Sequence, residues 1–262
     1  MRWEWIAVAY ASYLAVVSLT APRFARARGL ALVAAAVAWI AVLFYGGSTL
    51  ETPGLRVVVP LAVLLAGYWL SGRFFIQPMH DVEQWLLRMD ETLLDRTGIR
   101  RWYDRAPKAV SEAFELSYLL VYFVAAAGAL SLVGSGHVDH LNRFWTTVLL
   151  AGFIAYGALP WVQTRPPRTL RPDPDTRKAG SIRRLNHYVL NRGSIQVNTL
   201  PSGHAAVALA VGLAVANVAP VAGSLLIGFA MMITAATVLG RYHYAVDSIL
   251  GVLVAVVAWA LT

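Results

Sequence analysis

Two histidines, one carboxylate and a set of arginines are the residues of this chain whose types and spacing could do chemistry. His243 and Asp247 stand four apart, so on a helix they share one face. A carboxylate placed there can hold the proton on one imidazole nitrogen and leave the other as nucleophile or base. His204 follows Pro201-Ser202-Gly203. That is a good helix start: Ser202 can cap it, and first-turn amides such as that of Gly203 can bind phosphate oxygens. His204 can reach the same oxygens as an acid. Arg165, which opens Arg165-Pro166-Pro167-Arg168, and Arg241, two residues before His243, carry planar forks suited to bidentate phosphate contacts. A nucleophile, anion donors and a proton source are what phosphoryl transfer needs.

Other readings compete. A lone His–Asp pair can be a polar contact between packed helices, although ionisable groups at membrane depth are functional by default. A metal held by His204, His243 and Asp247 is disfavoured by the cation-repelling arginines and by spacing that matches no usual ligand pattern. A serine protease pairing Ser202 with His204 is disfavoured because neighbours two apart on a helix point different ways.

These residues sit at the ends of long apolar runs. The chain has 262 residues, 58% hydrophobic and 14% charged, with a mean hydropathy of +0.58. A soluble domain needs more charge than that to cover its surface. Uncharged runs cover residues 5–22, 29–50, 57–72, 116–136, 144–164, 205–240 and 248–262. One span needs roughly 20 apolar residues. The run at 205–240 is long enough to cross twice, turning at Asn217-Val218-Ala219-Pro220, and the last run lengthens if its helix begins near His243. The expected fold is therefore an all-α integral membrane protein, a polytopic helix bundle of about eight spans with a six-helix catalytic core. Residues 1–56 would supply two N-terminal membrane helices and 57–262 the core. The first run is read as a span rather than a signal peptide, because no positive cluster precedes it. Cysteine is absent, which excludes disulfides and thiolate chemistry. Span parity brings the end of the fifth run, the start of the sixth helix and the segment around His243 to one side of the membrane.

That side carries 19 of the 22 Lys and Arg residues; only Arg2, Arg56 and Arg143 fall on the other. The positive-inside tendency would make it cytoplasmic. Within it, residues 79–110 begin with an amphipathic stretch whose Val82, Trp85, Leu86, Met89 and Leu93 recur at helical spacing, as in a helix lying in the interface. The loop at 165–200 carries Arg165, Arg168, Arg171, Arg177, Lys178, Arg183, Arg184 and Arg192 against Asp173 and Asp175. It can contact anionic headgroups or steer an anionic substrate.

The combination of P-S-G-H, R-Y-H-Y-A-V-D and the preceding R-P-P-R resembles the type 2 phosphatidic acid phosphatase superfamily. The H-Y-x-x-D form is most similar to the branch containing inositol phosphorylceramide synthases and inositol phosphotransferases. The likeness covers the chain from about residue 110 onward. It implies that His243 is the nucleophile held by Asp247, that His204 protonates the leaving group, and that Ser202, the Gly203 amide, Arg165 and Arg241 hold phosphoryl oxygens. It also implies no metal, no cofactor and an extracytoplasmic site, against the charge count. Two positions depart from the phosphatase pattern. Ala158 stands where that pattern has its first lysine and Thr237 where it has its third-motif arginine; Arg168 could replace Arg165. The expected activity is transfer of a phosphoryl or phospho-headgroup from a lipid phosphate or phospholipid to an alcohol. Hydrolysis to give a lipid phosphate phosphatase is the alternative, and a non-catalytic lipid transporter or scaffold is a third, opposed by the intact site. Expected partners are the lipid substrate and the bilayer, with no nucleic acid, and the expected location is the plasma (inner) membrane.

Overall fold

The computed structural model describes residues 2–20, 52–171 and 180–262, and among them the protein is helical, without a β-sheet. The helices are α1 (Trp3–Thr20), α2 (Pro53–Gly72), α3 (His80–Asp90), α4 (Ile99–Arg105), α5 (Lys108–Gly134), α6 (Leu141–Gly157), the single turn α7 (Pro167–Leu170), α8 (Ser181–Gly193), α9 (Gly203–Ala216), α10 (Pro220–Leu239) and α11 (Ala245–Ala260). Helices α2, α5 and α10 are long and apolar enough to cross a membrane; α1, α9 and α11 are apolar but shorter. The span expected on 29–50 lies outside the described residues.

Local signals set the boundaries. The long apolar run breaks at Asn217–Ala219, with Pro220 at the first turn of α10, where its missing N–H costs nothing. Helix α11 begins at Ala245, so His243 lies just outside it rather than within it as its spacing predicts. The reason is local: Tyr244 caps the helix, and its amide donates to the Asp247 carboxylate at 3.0 Å.

Helix α9 is the hub, packed against α10, α11, α6 and α5. Its sequence is mostly alanine, valine and glycine, and nearly every side chain on all sides is buried, the pattern of a helix enclosed by others. Small residues let backbones approach closely, the usual basis of helix association in a membrane. A Cβ on Gly223 of α10 would collide with the backbone of Ala216, and one on Gly251 of α11 would lie 2.6 Å from the Ser202 carbonyl. Helix α1 joins the same core, its Tyr10 stacked on Phe153 of α6 at 4.1 Å.

Helix α3 departs from its expected orientation. The sequence places an apolar stripe through Val82, Trp85, Leu86, Met89 and Leu93, but the face buried against the protein carries Glu83, Leu86, Leu87 and Asp90. Trp85 and Leu93 are exposed, as are Met79, Ile99 and Trp102. One side of this segment thus serves the bundle, acids included, and the other leaves an apolar surface of the kind that lies in an interface.

Candidate active site

The segment carrying His243 is shaped by the end of α10. Arg241 has φ +61°, in the left-handed region that normally falls to glycine at this position. The turn closes with Arg241 N donating to Val238 O at 3.1 Å and Tyr242 N to Thr237 O at 2.8 Å, and His243 N also reaches Thr237 O at 2.9 Å. Thr237, which stands where the family pattern has an arginine, is therefore a backbone anchor; its hydroxyl lies 3.1 Å from Ser248 Oγ on α11.

This turn drops His243 onto the start of α9. His243 Nε2 and His204 Nδ1 are 3.2 Å apart, and the His243 Nδ1 to Asp247 Oδ2 separation is 3.6 Å with both side chains buried. The second contact is longer than a hydrogen bond, as catalytic contacts often are before substrate binds. Burial first, and then the nearby Arg168 guanidinium, push the His243 imidazole down to about 3. It is neutral at physiological pH, the state a nucleophile needs. Asp247 is tied in further: its main-chain oxygen accepts from Ser202 N at 2.8 Å, which joins α11 to the cap of α9.

The expected phosphate ligands divide. Arg165 lies away from the histidines: its backbone N–H, Nε and terminal nitrogen all donate to Glu83 of α3, at 2.8, 3.0 and 2.8 Å. Burial alone would raise the Glu83 carboxyl, but these bonds outweigh it and hold it below its ordinary range. Arg168 instead sits with its guanidinium carbon 5.6 Å from the Tyr242 ring centroid, where its charge acts on His243. Its backbone N–H donates to Arg241 O at 3.0 Å. The Arg241 side chain donates to Arg171 O at 3.0 Å and lines a separate polar cavity of about 220 Å³ with Asp90, Asp95, Arg100 and Arg171. Ser202 caps α9, accepting from Ala205 N at 3.4 Å, and the Gly203 amide donates to Thr199 Oγ1 at 3.2 Å. Ala158, in place of the family lysine, ends α6.

Several residues here carried no sequence signal. Tyr118 of α5 stacks on Tyr242 at 3.7 Å and on His204 at 5.3 Å. Buried Glu115 accepts from Tyr242 Oη at 2.5 Å, Asn186 Nδ2 at 2.7 Å and Arg183 at 3.0 Å. Arg183 is thus the partner of a buried acid rather than part of a solvated funnel. Arg177 and Lys178 lie outside the described residues. Asn198, also buried, donates to Thr164 Oγ1 at 3.0 Å.

His204 lines a second, largely apolar cavity of about 290 Å³. Leu61, Leu64 and Leu65 of α2 form its apolar part, and Thr199 and Gly203 join His204 at the polar part. Among the described residues, the histidine and carboxylate atoms close enough to share a metal ion are those of His137, Asp139 and His140. They lie in the turn after α5, at the other end of that helix from Glu115 and Tyr118.

The described region thus combines a close pair of histidines with an apolar cavity, in a helical bundle that includes three helices long and apolar enough to cross a membrane. The PAP2 superfamily model matches residues 84–261, and the chain belongs to that superfamily, which points to a phosphatase- or phosphotransferase-type activity on lipid phosphates. No curated protein and no solved structure matches it. The match begins after α2, so the Leu61–Leu65 wall of the apolar cavity comes from outside the family region.

Proposed function

We propose that the protein transfers a phosphoryl or phospho-headgroup from a lipid phosphate or phosphodiester to an alcohol, in the manner of inositol phosphotransferases, through a phosphohistidine at His243. The observation that carries this reading is the 3.2 Å meeting of His243 Nε2 with His204 Nδ1, beside an apolar cavity that suits a lipid chain. The phosphoryl group enters between the two rings. His243 Nε2 attacks phosphorus while the P–O bond to the lipid breaks, and His204, protonated when the anion binds, gives its proton to the departing alkoxide. Asp247 stabilises the His243 ring as it gains charge. Arg168 faces the equatorial oxygens, with the start of α9 on the other side, where the Gly203 amide exchanges its Thr199 hydroxyl partner for a phosphoryl oxygen; Arg165 and Arg241 support the loops. In the second half, an acceptor hydroxyl returns its proton to His204 and attacks phosphorus as the P–N bond breaks. Burial of His243 favours an alcohol that brings its own binding surface over bulk water.

Purified protein should be incubated with several lipid phosphates and phospholipids, with and without inositol. A phospholipid product that requires the alcohol is the expected result. Free phosphate released regardless of alcohol would replace transfer with hydrolysis. His243→Ala should abolish turnover and any acid-quenched phosphoenzyme, and Arg168→Ala should lower kcat/KM by about 10²–10³-fold, whereas Arg165→Ala should spare most of the rate. Substantial activity in His243→Ala, or its complete loss to a chelator in the native protein, overturns the histidine mechanism.

A further inference from the structure

The buried carboxylate of Glu115 is used by none of the steps above, yet it sits behind both groups that would handle the phosphate. Glu115 is 3% exposed. A carboxylate taken out of water persists only when its oxygens are well bonded. Here Tyr242, Asn186 and Arg183 all donate to it, and Asn186 also bonds the Glu115 main-chain oxygen at 2.8 Å. Two of the donors lie on α8 and the third is the residue before His243, so one acid ties α5, α8 and the histidine loop together.

What this fixes is the plane of the Tyr242 ring. Tyr118 stacks on that ring at 3.7 Å and 9°, and it also stacks on the His204 ring, at 5.3 Å and 20°. Arg168 lies 5.6 Å from the Tyr242 centroid. Burial and then the Glu115 charge raise the Tyr242 phenol above its ordinary range, so it remains the proton donor in the bond.

We infer that Glu115 and Tyr242 are positioning residues: the Glu115–Tyr242 bond sets the ring against which Arg168 and, through Tyr118, His204 are held. This deepens the reading of Arg168 as a phosphate ligand and His204 as the acid, and rests on it. A packing role alone would change stability. A positioning role changes anion binding through Arg168 and proton donation through His204.

Tyr242→Phe removes one oxygen and keeps the ring. Inorganic phosphate binding by calorimetry and steady-state kinetics with nitrophenyl phosphate should be measured for this variant in the native and Arg168→Ala backgrounds. In the native background, phosphate affinity should fall and KM should rise roughly tenfold, the effect of losing a hydrogen bond to a charged group. In Arg168→Ala the same change should cost less than about twofold, because contacting residues are not additive. Tyr118→Leu tests the other arm. It should slow an alkyl phosphate, whose leaving group needs a proton, much more than nitrophenyl phosphate. Equal losses from Tyr242→Phe in both backgrounds, or no loss in either, overturn the inference for Arg168. Equal slowing of both substrates by Tyr118→Leu overturns it for His204. If the native protein turns over no phosphate ester, the proposed activity fails while the calorimetric comparison still decides the positioning of Arg168.

Discussion

Two carboxylates clamp the loops around the histidines, and they do it in different surroundings. Glu83 on α3 binds Arg165, whose side chain is 38% exposed, while Glu115 on α5 binds Arg183, whose side chain is 14% exposed, together with Tyr242 and Asn186. The first clamp joins α3 to the Arg165–Arg168 segment with a cation that water can still reach. The second is enclosed far more fully by protein groups. A partly solvated pair can lose one member and let water replace it, whereas a closed one leaves a stranded charge. The loop that must be most exact, the one bearing His243, is held by the closed clamp.

The largest expected effect follows from that difference. Glu115→Ala removes the acceptor of the Tyr242 hydroxyl and of one bond each from Arg183 and Asn186 in the interior, and should cost about 3–5 kcal/mol of stability. Glu83→Ala leaves Arg165 free to hydrate and should cost about 1–2 kcal/mol, the scale of its hydrogen bonds after solvent screening. Thermal unfolding in detergent would rank them, and equal losses would erase the distinction between the clamps.

Proton linkage sharpens the comparison, because the groups titrate in different windows. The Glu83 carboxyl is held low, so its contribution is present above its unfolded pKa and is lost as pH falls through the lowered folded value. His243 has a depressed folded pKa of about 3. Between that value and about 6.5 the unfolded chain binds more protons, so stability falls as pH drops through this range. Asp90 on α3 works against it. Burial raises its carboxyl to about 6 despite the bond from Ala245 N, so stability rises as pH drops from 6 toward 4. The histidine contribution is read as a difference: in the Asp90→Asn background, adding His243→Gln should shift the change in stability between pH 6.5 and 5 by about 2 kcal/mol toward greater stability at the lower pH. A slope unchanged by the histidine substitution would mean that His243 is not held neutral by its surroundings.

What was legible in the sequence was local. Ser202 as a cap, the turn at Asn217–Ala219 and the helix start that carries His204 each depend on residues within a few positions, and each falls where expected. Span parity was an expectation that put the His204 and His243 segments on one side of the membrane; the 3.2 Å approach of the two rings is a detail of packing that no sequence pattern carried. The roles of the arginines were not legible either, since Arg165 is claimed by a residue 82 positions away and the Tyr242 hydroxyl by one 127 positions away. Periodicity in α3 identified an amphipathic helix but not which side meets the protein, because buried Glu83 and Asp90 read as solvent-facing until their partners are known. Expectations for 29–50, Arg177 and Lys178 lie outside the described residues.

The smallest effect concerns Arg241, where backbone and side chain can be separated. Its φ of +61° costs an L-residue about 1–2 kcal/mol that glycine would not incur. The conformation is required because it lets Tyr242 N and His243 N both reach Thr237 O and turns the loop back toward α9. The guanidinium meanwhile bonds Arg171 O. Arg241→Gly should relieve the backbone and lose the side chain, leaving stability within about 1 kcal/mol of the native protein. Arg241→Ala should keep the strain, lose the side chain, and be less stable than the glycine variant by about 1 kcal/mol. If the arginine acts only through this turn, kcat should be nearly the same in native and glycine proteins. A kcat that collapses in both variants with unfolding temperatures unchanged would instead put the Arg241 guanidinium on the phosphate, and the division of labour between Arg168 and Arg241 would have to be reversed.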